Sequence, residues 1–206
     1  MMQMLGVRHI FIKEDPAATT LQQLELQCAA CQKCALAQTR THIVFGEGDP
    51  QARIMIVGEA PGAEEDKQGR PFVGEAGKLL NNMLNAIGIE RGETFICNIL
   101  KCRPPGNRDP QPAEREACVP YLLKQMDIIK PSIILVLGLV AAQTLLNTRQ
   151  SLGQLREGEH FIQKIPAHVT YHPAALLRNP NWKRPAWQDL QRFRDHFREM
   201  HPIQTD

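Results

Sequence analysis

The sequence predicts an α/β protein in which a parallel sheet is covered by helices on both faces. Two observations carry this. Short, continuously apolar runs at 53–58 (RIMIVG), 94–100 (TFICNIL) and 132–138 (SIILVLG) read as strands buried on both sides. Between them lie segments whose apolar residues recur at helical spacing, and strands that alternate with helices call for a parallel sheet. The chain has 206 residues, 43% hydrophobic and 22% charged, so it can bury a core of its own. That composition excludes a disordered chain, a collagen-like fibre and a coiled coil.

The elements follow in order. Residues 1–20 show no period and are expected to form a loosely ordered arm, with a single domain over 21–206. A short helix should begin at Leu21 and run toward Cys34. The strand at 53–58 leads into a glycine-rich loop. Ala76, Leu79, Leu80, Met83, Leu84 and Ile87 then mark one face of a helix, with Gly88 as its C-cap. The strand at 94–100 is followed by a Pro-Pro-Gly-Asn loop at 104–107 and a helix over 113–129, which Pro120 should disturb. The strand at 132–138 precedes a short helix at 139–146. Segments 161–165 and 167–171 read as two strands separated by Pro166. Trp187, Leu190, Phe193 and Phe197 mark the apolar face of a last helix.

The longest apolar run, 133–142, would span only about 15 Å as a helix, half of a bilayer core. The first thirteen residues show no secretory pattern, since Arg8 and His9 interrupt any apolar stretch. A cytoplasmic protein, without a membrane partner, is expected. In that reducing setting clustered cysteines serve metals or redox chemistry more often than disulfides.

Six cysteines are present. Cys31 and Cys34 form a C-x2-C pair, and Cys102 and Cys118 stand fifteen residues apart. A C-x2-C pair places two sulfurs on one tight turn, a good half-site for a metal. The wide second pair is unusual for zinc and suits a larger object such as a cubane cluster. Spacing alone leaves zinc and iron–sulfur both open, and it leaves Cys28 as a competitor of Cys31. Cys97, on a strand, reads as a small buried hydrophobe.

In open parallel sheets, ligands bind beyond the carboxyl ends of the strands. Three loops qualify here: 58–74, 98–109 and 172–178. Gly58, Glu59 and Ala60 end the first strand, where glycine lets a ligand approach main-chain N–H groups and Glu59 either projects into the cleft or is a solvated residue of a plain strand-to-loop turn. Phe72 sits in a Gly/Pro-bounded loop, either as core or as a stacking platform. The Asn98 amide sets a donor beside an acceptor, and it either reads the edge of a flat heterocycle or is a structural amide satisfied within the fold. His172 is placed either to cap a helix or to donate to a developing anion. Leu176 and Leu177, beside Arg178, read either as a wedge for a duplex or as the buried face of a helix.

Net charge is only +2, but it is uneven. Between Lys164 and Arg198 seven basic residues face two acidic ones, a local +5 that leaves the remainder near −3. Lys101, Arg103 and Arg108 add positive charge beside Cys102. A basic face next to a cleft fits contact with a phosphate backbone, and it equally fits a solvated helix.

Taken together these segments resemble one family closely, the iron–sulfur (family 4) uracil-DNA glycosylases of the uracil-DNA glycosylase superfamily. The resemblance runs from about Cys31 to Phe197. It rests on Cys31-x2-Cys34, VFGEG at 44–48, GEAPG at 58–62, GRPFVG at 69–74, NILKCRPP at 98–105, Asn107-Arg108, Cys118, and the stretch from His172-Pro173 to Leu177-Arg178. It implies a three-layer α/β/α sandwich around a four-stranded parallel sheet. It also implies a [4Fe–4S] cluster on Cys31, Cys34, Cys102 and Cys118, with Cys28 outside the pattern. The implied activity is a monomeric repair enzyme that flips uracil from single- or double-stranded DNA and hydrolyses its N-glycosidic bond.

The resemblance also implies roles. Phe72 would stack on the base and Asn98 would read its N3–H and O4. His172 and the N–H groups near Glu59 and Ala60 would stabilise charge on O2. Glu59 stands where other branches carry Asp, and would orient the water or crowd the C5 position. Leu176, Leu177 and Arg178 would fill the gap in the duplex, with Arg103 and Arg108 also on DNA. The 102–108 stretch lacks the basic, His-containing insertion of a DNA-crosslinking relative, so a turnover enzyme is expected. A redox iron–sulfur protein would explain the cysteines but not Phe72, Asn98 and His172. A non-catalytic nucleic-acid binder would explain the basic face but not those three residues.

Overall fold

The computed structural model describes residues 20–202. All but one residue of the arm expected over 1–20 lies outside them. The exception is Thr20, whose hydroxyl accepts from Gln23 N at 3.2 Å and caps helix α1 (Leu21–Ala29). After a two-residue strand β1 (Glu47–Gly48) come β2 (Ile54–Gly58), α2 (Ala63–Gln68), α3 (Glu75–Ala86), β3 (Thr94–Asn98) and α4 (Pro112–Ile129). The chain continues with β4 (Ile133–Leu137), α5 (Leu139–Leu146), α6 (Leu152–Glu157), β5 (His160–Ile162), β6 (Ile165–Thr170), α7 (Pro173–Arg178) and α8 (Lys183–Met200).

The strands form one six-stranded sheet in the order β1-β3-β2-β4-β6-β5. Its four inner strands are mutually parallel, as expected, and an antiparallel strand is added at each edge. Every residue of β2, β3 and β4 is buried, because each strand feeds two cores in alternation. Met55, Val57, Phe95, Cys97, Ile134 and Val136 face one side, against Leu24 of α1, Leu122 and Met126 of α4 and Leu155 of α6. Ile54, Ile56, Ile96, Ile133, Leu135 and Leu137 face the other, against Leu80 and Leu84 of α3 and Leu190 and Phe193 of α8. This is the three-layer arrangement, and each fully buried Leu or Phe contributes about 1.5–3 kcal/mol to it.

Two expectations concern proline. Pro120 does not end α4, which runs through it to Ile129. Its packing, with Leu122, Gln125, Met126 and Ile129 buried, offsets the one lost hydrogen bond. Pro166 does not separate two strands but lies within β6. Pairing with β4 begins at Ala167, so the missing N–H costs nothing on that side. The break between β5 and β6 is instead Gln163-Lys164, both with positive φ (49° and 69°), a pair that matches the twist of a two-residue hairpin.

One buried carboxylate locks the end of β6. Asp189 of α8, 2% exposed, accepts from Arg156 Nε at 2.7 Å, Arg156 Nη2 at 2.9 Å, Arg192 Nη2 at 2.6 Å and Thr170 Oγ1 at 2.7 Å. α6, α8 and the last residue of β6 are thereby tied together, just before the chain enters the loop of His172. No helix among the described residues is long and apolar enough to cross a membrane.

Candidate active site and thiol centre

The inner strands deliver three of the expected residues to one place. β2 and β3 end in register, with Gly58 opposite Asn98. Asn98 is 1% exposed, and its Oδ1 has no hydrogen-bond partner. Asn98 borders a cavity of about 310 Å3, together with Glu59, Ala60, Phe72 and His172. A Cβ on Gly58 would stand 2.4 Å from Asn98 Oδ1 and 2.6 Å from Phe72 Cζ. Only glycine lets the amide and the ring close over that strand end.

Phe72 has φ 51°, a left-handed backbone that a bulky side chain rarely adopts. Its neighbours hold it there. Arg91 donates from Nη2 to Pro71 O at 2.7 Å and from Nη1 to Phe72 O at 3.3 Å. Glu65 Oε1 accepts from the N–H groups of Val73 and Gly74, both at 3.0 Å. α3 approaches so closely that a Cβ on Gly77 would lie 1.8 Å from Phe72 O. The Phe72 ring stacks on that of His172, with centroids 5.5 Å apart and planes at 30°.

His172 is the N-cap of α7, and its Nδ1 accepts from Ala174 N at 3.1 Å. An accepting Nδ1 leaves the proton of the neutral ring on Nε2. Burial, helped by the charge of Arg178, depresses its pKa to about 4, so the ring is neutral at pH 7. Glu59 moves the other way. Burial, reinforced by Asp109 and opposed by Arg115 and Arg178, lifts its carboxyl to about 7. The cavity thus holds a neutral histidine and a carboxyl balanced between its two forms.

The loops around the mouth depart from expectation in part. Leu176 and Leu177 do not act together: Leu176 is 2% exposed and packed in the α3/α8 core, whereas Leu177 is 45% exposed. Adjacent residues on a helix point about 100° apart, so when one faces the core its neighbour turns outward. A wedge role for Leu176 is therefore corrected, and Leu177 is the leucine offered to solvent beside exposed Arg178. Arg108 is bound to Glu114 through two hydrogen bonds of 2.9 and 2.6 Å. Arg103 Nε donates to Asn107 Oδ1 at 2.7 Å. Arg103 is turned onto its own loop, and Arg108 onto the first turn of α4.

On the α1/α4 side of the sheet, Cys31, Cys34, Cys102 and Cys118 line one small cavity, and Cys28 lines it too. All six cysteines are free thiols. Arg40 Nη1 donates to Cys102 Sγ and Lys101 N donates to Cys118 Sγ, both at 3.2 Å. Burial raises the thiols of Cys102 and Cys118, the latter to about 11, so a cationic occupant is needed to hold them as thiolates. Among the described residues no three His, Cys, Asp or Glu side chains are arranged to hold a single ion. Cys97 is fully buried in β3, in the hydrophobic core.

Glu65, Asp109 and Arg91 escaped the sequence reading. Glu65 and Arg91 act on the backbone at 71–74 from eight to twenty residues away along the chain, and no local pattern announces such a contact. Gly77 was the available signal, a glycine inside an otherwise regular helix.

Comparison with known proteins adds an independent line. Residues 45–191 match the model of the Uracil DNA glycosylase superfamily. A type-4 uracil-DNA glycosylase of Sulfurisphaera tokodaii is 46% identical over 186 residues, covering 85% of this chain and 84% of that protein. One from Pyrobaculum aerophilum is 44% identical, covering 84% and 92%. One from Archaeoglobus fulgidus is 40% identical, covering 91% and 98%.

Proposed function

The chain belongs to the uracil-DNA glycosylase superfamily, and we propose that it removes uracil from DNA by hydrolysing the N-glycosidic bond, leaving an abasic site for repair. The observation that carries this reading is the unpartnered Oδ1 of Asn98, buried beside an aromatic ring and a neutral histidine in one cavity. A buried acceptor without a donor costs about 1–3 kcal/mol, a cost that a ligand bringing an N–H removes.

Uracil offers that N–H at N3, between two carbonyl oxygens. An asparagine amide accepts from N3–H and donates to O4, whereas cytosine presents the opposite pattern at both positions. A base inside a duplex cannot reach the cavity, so the nucleotide is flipped out before it binds. Phe72 supplies the wall on which the base lies. As the glycosidic bond lengthens, negative charge gathers on the uracil O2. A neutral His172 with its proton on Nε2 donates to that oxygen without giving the proton up, which is preorganised stabilisation of a developing anion. Glu59 and Ala60, whose main-chain N–H groups are further candidate donors to O2, line the same cavity. The sugar becomes cationic, and Glu59, when ionised, stabilises that charge and orients the attacking water. Its bulk near C5 also disfavours the thymine methyl. Leu177 and Arg178 brace the duplex, with the basic 164–198 segment along the phosphates.

The thiol centre fits a [4Fe–4S] cluster. Four cysteines converge from two distant segments, with Arg40 and Lys101 donating to their sulfurs. A cubane binds one thiolate per iron and so needs a wider spread than a single ion. Bound there, the group acts as a cross-link between the Cys31–Cys34 turn and the 102–118 loop. Six free cysteines suit a reducing cytoplasm, and the proposed working form is a monomer.

The test is a uracil-containing oligonucleotide, single- or double-stranded, scored for alkali-labile sites. Cleavage at the uracil position, absent with cytosine or thymine, is expected. No abasic site with freshly purified, anaerobically handled protein overturns the reading. In parallel, the wild type should carry broad visible absorbance that Cys102→Ala loses and Cys97→Ala keeps.

A further inference from the structure

Among the described residues six large apolar side chains are exposed, and three of them, Leu177, Trp182 and Trp187, fall within eleven residues of sequence. That same stretch is cationic without relief. From 165 to 188 the chain contains no Asp or Glu, while Arg178, Lys183 and Arg184 are all exposed. Among the described residues none of the three takes part in an ion pair. The next acid, Asp189, is buried and already shared by Arg156 and Arg192.

Trp182 is held flat. Its indole stacks on the Tyr171 ring with centroids 5.2 Å apart and planes at 23°, and 40% of the residue remains exposed. Tyr171 is itself fixed by the Arg156 guanidinium, 4.6 Å over its ring. Arg156 is in turn anchored on buried Asp189. Trp182 N closes a turn onto Asn179 O at 3.2 Å. Tyr171, on which this aromatic rests, directly precedes His172, and His172 and Arg178 both line the reaction cavity.

We propose that Trp182 is a stacking platform for an unpaired base of single-stranded DNA next to the flipped nucleotide, with Lys183 and Arg184 on the adjoining phosphates. The proposal rests on the glycosylase reading above, which places DNA at this mouth. A rigid, half-exposed indole flanked by unpaired cations is the combination that binds single strands without sequence preference, since every base has a π-face. A paired base inside a duplex keeps its faces covered by its neighbours and cannot use the platform.

The chain has only two tryptophans, so Trp187→Phe leaves Trp182 as the sole indole reporter. Titrating that variant with uracil-free oligo(dT) should quench its fluorescence, and a blunt duplex of equal length should quench it far less. Trp182→Leu should weaken oligo(dT) binding roughly tenfold, within the range for losing one base–aromatic stack. Blunt-duplex affinity and melting temperature should stay near wild type, and Trp182→Phe should restore most of the loss. Absent quenching by oligo(dT), or equal losses on single strand and duplex, overturns the platform. Quenching that follows protein concentration without DNA also overturns it and assigns the surface to self-association. Uracil excision by the wild type is scored separately. A protein that binds oligo(dT) through Trp182 yet excises nothing keeps the platform and sinks the glycosylase reading.

Discussion

Lys101 Nζ donates to the main-chain carbonyl of Asn98 at 2.9 Å, from a side chain only 1% exposed. The same ammonium donates to Gln125 Oε1 at 2.6 Å, and Gln125 Nε2 donates to Phe45 O at 2.9 Å. The main-chain N–H of Lys101 meanwhile rests on Cys118 Sγ. One residue therefore touches both the strand end that presents Asn98 and the wall of the thiol centre.

Lys101→Met should leave the Asn98 carbonyl and Gln125 Oε1 without their donor, destabilising the fold by about 2–5 kcal/mol. Chemical denaturation reads that loss. Single-turnover excision should slow while DNA affinity is unchanged, because Asn98 is displaced and the DNA surface is not. Lost stability with an unaltered single-turnover rate would reduce Lys101 to a packing role.

Asn98→Ala separates stability from activity in the opposite sense. It removes an acceptor whose burial costs about 1–3 kcal/mol, so stability should hold or rise. Excision should fall by roughly a hundredfold or more, the scale of losing one preorganised polar contact. Melting temperature and single-turnover rate, measured together, check both halves.

The pH profile should carry one limb near neutrality. Glu59 titrates at about 7 and His172 at about 4. If the Glu59 carboxylate is the working form, single-turnover excision rises as pH increases through 7, and Glu59→Gln flattens that rise. The stability signs oppose each other. Glu59 has a raised pKa, so its contribution is full below the ordinary carboxylate range and is lost as pH climbs through 7. His172 has a depressed pKa, so it removes stability as pH falls from its ordinary value of 6.5 toward 4. Glu59→Gln should accordingly gain stability over wild type at pH 8 but not at pH 4.

The two leucines of α7 should part company. Leu176→Ala empties a buried site and should cost about 2–5 kcal/mol in urea unfolding. Leu177→Ala should lie within about 0.5 kcal/mol of wild type. Only Leu177→Ala should lower excision from duplex DNA without lowering stability.

Much of this was legible from residue order. The strands at 53–58, 94–100 and 132–138 stood out because burial on both faces leaves an unbroken apolar run. Their carboxyl-end loops then pointed to Asn98, Phe72 and His172. What stayed hidden has a common physical cause. β1 is two residues long and carries no period. Whether Leu176 or Leu177 faces the core depends on the helix's rotation, which adjacent leucines do not encode. Arg91 and Glu65 act through backbone atoms of a distant loop, so their side-chain identities announce nothing. Pro166 misled because proline signals a break only where its N–H is needed, and the β4 ladder starts one residue later.

The close approach at the end of β2 has a consequence for any attempt to retarget this protein to another base. With 2.4 Å between a Gly58 Cβ and Asn98 Oδ1, and 1.8 Å between a Gly77 Cβ and Phe72 O, neither glycine tolerates even a methyl group. The back of the cavity is closed to stepwise mutation. New specificity has to be selected from the rim, along the 104–109 loop, where a library can vary without touching either glycine or Glu59.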